Sequence, residues 1–144
     1  MNGLYQDLII DHGTKPRRKG VIENPSAKEK GHNPLCGDQI EIFLDIDTNG
    51  VVKKIRFDGS GCAISIASAS LMSEAVEGKP IEVVKALFEN VHGMLSGKTH
   101  DDLGKLEALA GVSQYPMRVK CATLSWHTMM AALKHSGPVS TEEA

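Results

Sequence analysis

The chain has 144 residues, a formal net charge of -2, 41% hydrophobic and 24% charged residues, the make-up of a soluble globular domain long enough to bury its own core. Acids and bases are mixed along it, which argues against a nucleic-acid-binding face, and no apolar run approaches the length of a membrane span. Three cysteines, an odd number, argue against a disulfide framework and for a reducing cytoplasm, where thiols are free to bind metal or react.

The N-terminus meets Asp7 before any apolar run, so no signal peptide is expected. Leu4, Tyr5, Leu8 and Ile9 form a helical stripe that Gly13 and Pro16 should end, with His12 as a partner for the C-terminal dipole. Lys15-Pro16-Arg17-Arg18-Lys19-Gly20 follows as a basic exposed turn, either a solvated loop or a docking patch for an acidic partner. Residues 21–34 are polar and hold a short edge strand at best.

Residues 39–46 alternate with period two, Ile40, Ile42, Leu44 and Ile46 lining one face; Asn49-Gly50 marks a hairpin turn into a second strand at 51–57. Asp58-Gly59-Ser60-Gly61 should break that strand. Cys36 and Asp38 precede the first strand and Cys62 follows the second. Antiparallel pairing returns the chain to where it began, so the three should gather at one end of the sheet.

From residue 60 onward the pattern is helical. A first helix of small residues runs to about residue 77 and carries Cys62 in its first turn, where unpaired N–H groups and the positive end of the macrodipole favour a thiolate. A second covers 81–95, and a short one carries Leu103, Leu106, Leu109 and Val112. The last starts near Pro116, carries Cys121, Leu124, Met129 and Leu133, and is stopped by Gly137-Pro138. The expected class is α+β, a small antiparallel sheet with helices packed on one face; residues 1–137 form a single domain and 138–144 a frayed tail.

Cys36, Asp38, Cys62 and Cys121 make three thiolates and a carboxylate. That set suits tetrahedral zinc or the edge of an iron–sulfur cluster, against the alternative of three dispersed buried thiols. Asp38 is either a ligand or the cap of the turn after Gly37. Arg118, one helical turn before Cys121, either brings positive charge near the thiolates or is solvated. His127 reads more simply as a surface or satisfied histidine than as a ligand.

Taken together, Asn33-Pro34-Leu35-Cys36-Gly37-Asp38, Gly61-Cys62-Ala63-Ile64-Ser65 with Ala67-Ser68-Ala69-Ser70, and Arg118-Val119-Lys120-Cys121-Ala122-Thr123-Leu124-Ser125-Trp126 resemble the U-type iron–sulfur cluster assembly proteins, whose branches are the IscU, SufU and NifU N-terminal types. The likeness, which begins at Leu4-Tyr5 and includes Asp11-His12 and Pro16-Arg17, is strongest to the SufU-type branch. The interval from Cys62 to Cys121 is long, Lys120 stands where IscU-like scaffolds have a histidine, and their Leu-Pro-Pro-Val-Lys motif is missing. Gly13, Arg18 and His127 depart from the family's usual residues, outside the ligand set.

The resemblance implies the SufE/NifU-like fold, zinc held by Cys36, Asp38, Cys62 and Cys121, and a sulfurtransferase that takes persulfide sulfur on Cys36 from a SufS-like cysteine desulfurase, with Arg118 assisting. It also implies hand-over to downstream iron–sulfur assembly proteins, in the cytoplasm, without nucleic acid or membrane. The rival it allows is a scaffold on which an iron–sulfur cluster forms on the same ligands. A purely structural zinc adaptor fits less well, because closed structural sites are usually all Cys and His.

Overall fold

The computed structural model describes residues 3–135 and 137–141. Its elements in chain order are α1 (Gly3–Thr14), β1 (Ala27–Asn33), β2 (Asp38–Ile46), β3 (Val52–Ser60), α2 (Ala63–Val76), α3 (Ile81–Leu95), a 3-10 segment (Gly104–Gln114), α4 (Pro116–Lys134) and β4 (Val139–Ser140). The architecture is α+β, as expected. The sheet has the order β3-β2-β1-β4, antiparallel except for the short β1–β4 pairing.

The β2–β3 hairpin forms where the alternation and Asn49-Gly50 put it. Ile40, Ile42 and Leu44 are buried on the inner face with Val52, Ile55 and Phe57, and Gly50 takes a φ of 76° in the turn. Two strand expectations need correcting. Asp58-Gly59-Ser60 does not end β3: pairing continues to Gln39↔Ser60 and Ile40↔Gly59. Gly59 is needed there, since a Cβ would run into the Gln39 carbonyl and φ is 133°. The polar stretch before Cys36 is not a marginal edge but a seven-residue strand paired along its length, Ala27↔Leu44 to Asn33↔Asp38. Its inner positions are small because α4 lies on them; a Cβ at Gly31 would overlap the Thr128 hydroxyl and come within 3.0 Å of Leu124.

Helix α2 is buried on nearly every side, with Ala67, Ser68, Ala69 and Ser70 wholly inaccessible. Its small residues let neighbouring helices approach closely. Ser68 Oγ donates to the Ala122 carbonyl at 2.6 Å and accepts from Trp126 Nε1 at 3.2 Å, tying α2 to α4. On the other side Gly13 abuts the start of α2, where a Cβ would lie 3.0 Å from the Ala63 carbonyl oxygen. Gly13 therefore sits inside α1 rather than ending it. The threefold spacing of Leu103, Leu106, Leu109 and Val112 belongs to the 3-10 segment, whose side chains at i and i+3 eclipse.

Two further expectations change. His12 does lie in the last turn of α1, but its surroundings are more than the helix dipole. It is fully buried, with Nδ1 2.7 Å from Ser70 Oγ and Nε2 3.7 Å from Glu74 Oε1. The expected loose tail contributes β4, with Gly31↔Val139 and His32↔Ser140 paired and Thr141 N–H donating to the His32 carbonyl at 3.0 Å. Residues 142–144 of that tail lie outside the described residues.

Candidate metal centre

The β1–β2 connection is Pro34-Leu35-Cys36-Gly37, with Gly37 at a φ of 71°. This tight turn leaves Cys36 exposed at its tip. Asp38, the first residue of β2, is fully buried. Its Oδ1 accepts the Cys62 backbone N–H at 2.8 Å. The carboxyl lies flat on Gly61, where a Cβ would stand 2.5 Å from Oδ1. Only glycine at 61 leaves room for the acid. Cys62 is the N-cap of α2, its sulfur accepting the Ser65 N–H at 3.4 Å. Cys121, in the second turn of α4, is buried and brings its Sγ to 3.2 Å from that of Cys36.

The ligand atoms of Cys36, Asp38 and Cys121 all lie within 4.8 Å of one another. Cys62 flanks this trio, its Sγ 4.0 Å from Asp38 Oδ2. The expected meeting of Cys36, Asp38 and Cys62 at one end of the sheet follows from the hairpin register, and α4 delivers Cys121 to the same place. All three cysteines are free thiols.

Burial, with hydrogen bonding to Cys36, Cys62 and Asp38 and the charge of Cys62, pushes the Cys121 thiol far above its ordinary range. Such a thiol gives up its proton only to a strong local positive charge. Two or three sulfurs and one carboxylate oxygen, converging at the sheet end, are a donor set that fits a borderline-soft divalent ion such as zinc. The residues present fit the metal that the chemistry of the site suggests.

Other sequence candidates lie elsewhere. The Arg118 guanidinium stacks on the Tyr115 ring, 4.8 Å from its centroid, and the side chain is exposed. His127 packs edge-on against Phe88 and His92, with ring centroids at 5.3 and 5.8 Å, and burial and His92 hold it below the ordinary histidine range. The basic turn is partly consumed by internal pairs. Arg17 binds Asp11 at 2.6 Å and Arg18 binds Glu77 at 2.6 Å. Lys15 and Lys19 are exposed. Two members of the site went unassigned in the sequence: Gly61, and Asn33, whose amide donates to Asp38 Oδ2 at 3.1 Å and to Cys121 Sγ at 3.5 Å. Recognising β1 would have exposed Asn33, because it is the residue paired with Asp38.

A four-stranded sheet covered by helices on one face, with thiols and an acid gathered at its end, defines a small α+β domain built around a candidate thiolate–carboxylate metal site. Residues 4–122 match the NifU-like N terminal domain. The chain belongs to this family. It is 44% identical over 132 residues to the zinc-dependent sulfurtransferase SufU of Bacillus subtilis, covering 90% of this chain and 88% of that one. It is 38% identical over 134 residues to the iron-sulfur cluster assembly scaffold protein IscU of Thermotoga maritima, covering 91% and 93%. Among solved structures it superposes with a TM-score of 0.84 and 36% identity on a candidate iron-sulfur cluster assembly scaffold protein for the SUF system from Fervidobacterium islandicum, covering 88% and 94% of the two chains.

Proposed function

We propose that this protein is a zinc-dependent sulfurtransferase that accepts persulfide sulfur on Cys36 from a SufS-like cysteine desulfurase, for iron–sulfur cluster assembly in the cytoplasm. The observation that carries this reading is the unequal exposure of adjacent thiols. Cys36 stands exposed at a hairpin tip while its neighbour Cys121, 3.2 Å away, is buried. A partner's sulfur can reach only the first. Leu35 beside Cys36 and Met117, one turn before Cys121, are 53% and 55% exposed, an apolar rim suited to a docking protein. Similarity to the Bacillus subtilis sulfurtransferase supports the same assignment.

Zinc would be held by Cys36, Asp38, Cys121 and, closing the set, Cys62; when bound it keeps its thiolate ligands deprotonated and ordered. The Cys36 thiolate attacks the outer sulfur of the desulfurase persulfide. A new S–S bond forms at Cys36, the donor's S–S bond breaks, and the desulfurase cysteine leaves as a thiolate. No net oxidation occurs, and the proton of the transferred SH stays with it. Asp38, the one oxygen donor among sulfurs, would be the ligand most easily displaced by a partner. Arg118 is assigned to the partner-facing rim, where its charge would favour the approaching persulfide. Lys15 and Lys19 are the basic residues left to meet acidic partners.

The second reading, a scaffold for an iron–sulfur cluster, uses the same ligands and is favoured by similarity to the Thermotoga maritima protein. Incubation with desulfurase and cysteine, followed by mass spectrometry, tests the first: one added sulfur on Cys36 is expected. A chain that stays unmodified while taking up iron and sulfide stoichiometrically would establish the second.

A further inference from the structure

We propose that Asn33 is a positioning residue for the metal ligands and that Thr141, the residue after the C-terminal strand β4, sets Asn33. The inference rests on the metal reading above and extends it to residues outside the ligand set. Asn33 is completely buried at the end of β1. Its Nδ2 donates to Asp38 Oδ2 at 3.1 Å and to Cys121 Sγ at 3.5 Å, and its Oδ1 accepts the Thr141 hydroxyl at 2.9 Å. The amide orientation follows from chemistry. A carboxylate oxygen accepts and the Thr141 hydroxyl can donate, so the NH2 group faces Asp38 and the Cys121 sulfur and the oxygen faces Thr141.

One side chain thus touches two candidate ligands that come from different elements, β2 and α4. With Cys62 N–H on Oδ1 and the Asn33 amide on Oδ2, each carboxylate oxygen of Asp38 is held by an N–H donor from outside the ligand atoms. The remaining lone pairs are then aimed by the protein rather than by the ion. Donation to sulfur also draws charge from the Cys121 ligand. If Thr141 lets go, Asn33 can rotate and present its carbonyl to two acceptors, which misaligns both. Thr141 is itself anchored by its backbone N–H on the His32 carbonyl at 3.0 Å. Docking of the last strand and ligand geometry are therefore one structural unit.

The test is a double-substitution cycle on cobalt(II) binding, with the visible thiolate–cobalt bands as readout. Asn33→Leu keeps the volume and removes the amide; it should weaken cobalt by about 10–100-fold and shift the bands. Thr141→Val should weaken cobalt less, in the same direction. Added to Asn33→Leu it should do nothing further, because its effect runs through the amide. Unchanged affinity and spectrum in Asn33→Leu, or fully additive losses, would overturn the proposal. Circular dichroism checks that each variant is folded; should Asn33→Leu fail to fold, the Thr141→Val spectrum decides. Wild type that binds no cobalt would refute the metal reading instead. In that case exchange of the Asn33 side-chain amide protons in metal-free protein decides the wiring: protection lost in Thr141→Val supports it, and equal exchange refutes it.

Discussion

Cys36 and Cys121 bring their sulfurs to 3.2 Å although 85 residues separate them, and one thiol faces solvent while the other is buried. A pair of thiols so close gains from a shared cation and suffers without one, since burial and the neighbouring thiols hold the Cys121 proton in place. Protein purified aerobically should therefore be colourless and carry about one zinc per chain, as a single four-ligand site implies. Metal analysis by emission spectrometry checks this, and Cys121→Ser should lose most of the metal. A brown preparation with bound iron and sulfide would point to the scaffold reading.

Asp38 separates a reactive site from a closed one. Asp38→Cys should retain zinc, more tightly than wild type, because sulfur suits this ion better than a lone carboxylate. It should accept little sulfur on Cys36, since no weak ligand remains for a partner to displace. Persulfide formation followed by mass spectrometry measures the difference. Uptake at the wild-type rate by the zinc-loaded variant would show that Asp38 displacement is not part of the mechanism.

Gly61→Ala probes the same candidate ligand without replacing it. The added methyl would stand 2.5 Å from Asp38 Oδ1 and 3.0 Å from its Cγ, so the carboxyl must move. Overpacking of this kind costs about 1–3 kcal/mol. Zinc affinity should fall, while the fold away from the site survives. Competition with a coloured chelator reads the affinity, and a urea titration reads the stability.

The basic turn should behave as part of the fold. Arg18 joins Arg56 on Glu77, at 2.6 and 2.8 Å, bridging the turn, β3 and the end of α2. Arg18→Glu would place an acid on Glu77 and should lower the melting temperature by several degrees, about 1 kcal/mol for partly exposed pairs. Lys15→Glu with Lys19→Glu should leave melting unchanged and raise the half-saturating concentration in a desulfurase assay. If the lysine pair changes nothing in that assay, the turn is a structural element and no more.

Acid should destabilise the chain through His12. Burial, reinforced by the Arg17 charge, holds its imidazole below the ordinary value of 6.5. The unfolded chain then takes up a proton first as pH falls below about 6.5, so this contribution to stability is intact above that pH and declines toward the lower folded pKa. His127, also lowered by burial and by His92, acts in the same direction. Urea midpoints at pH 7.5 and 5.5, measured on metal-free protein, should differ more in wild type than in His12→Gln. An equal difference would mean that His12 does not carry the effect.

The sequence by itself determined what depends on local period and local turns. Alternation in 39–46 and Asn49-Gly50 were enough to build the β2–β3 hairpin. Antiparallel return then placed Cys36, Asp38 and Cys62 at one sheet end, because the separation of hairpin partners is set by counting residues from the turn. The motifs around those residues were enough for the family. Only the tertiary structure decided the rest. β1 carries no apolar alternation, since its inner positions are Ala27, Glu29, Gly31 and Asn33, kept small or polar by α4 and the site. Its pairing comes from β2's need for a partner on its second edge. The burial of His12 depends on how α1 lies on α2, and the pairing of Arg18 on a carboxylate 59 residues away. The contrast between exposed Cys36 and buried Cys121 arises the same way: one thiol sits in the β1–β2 turn and the other inside α4, and no periodicity within either segment records which of the two will be covered.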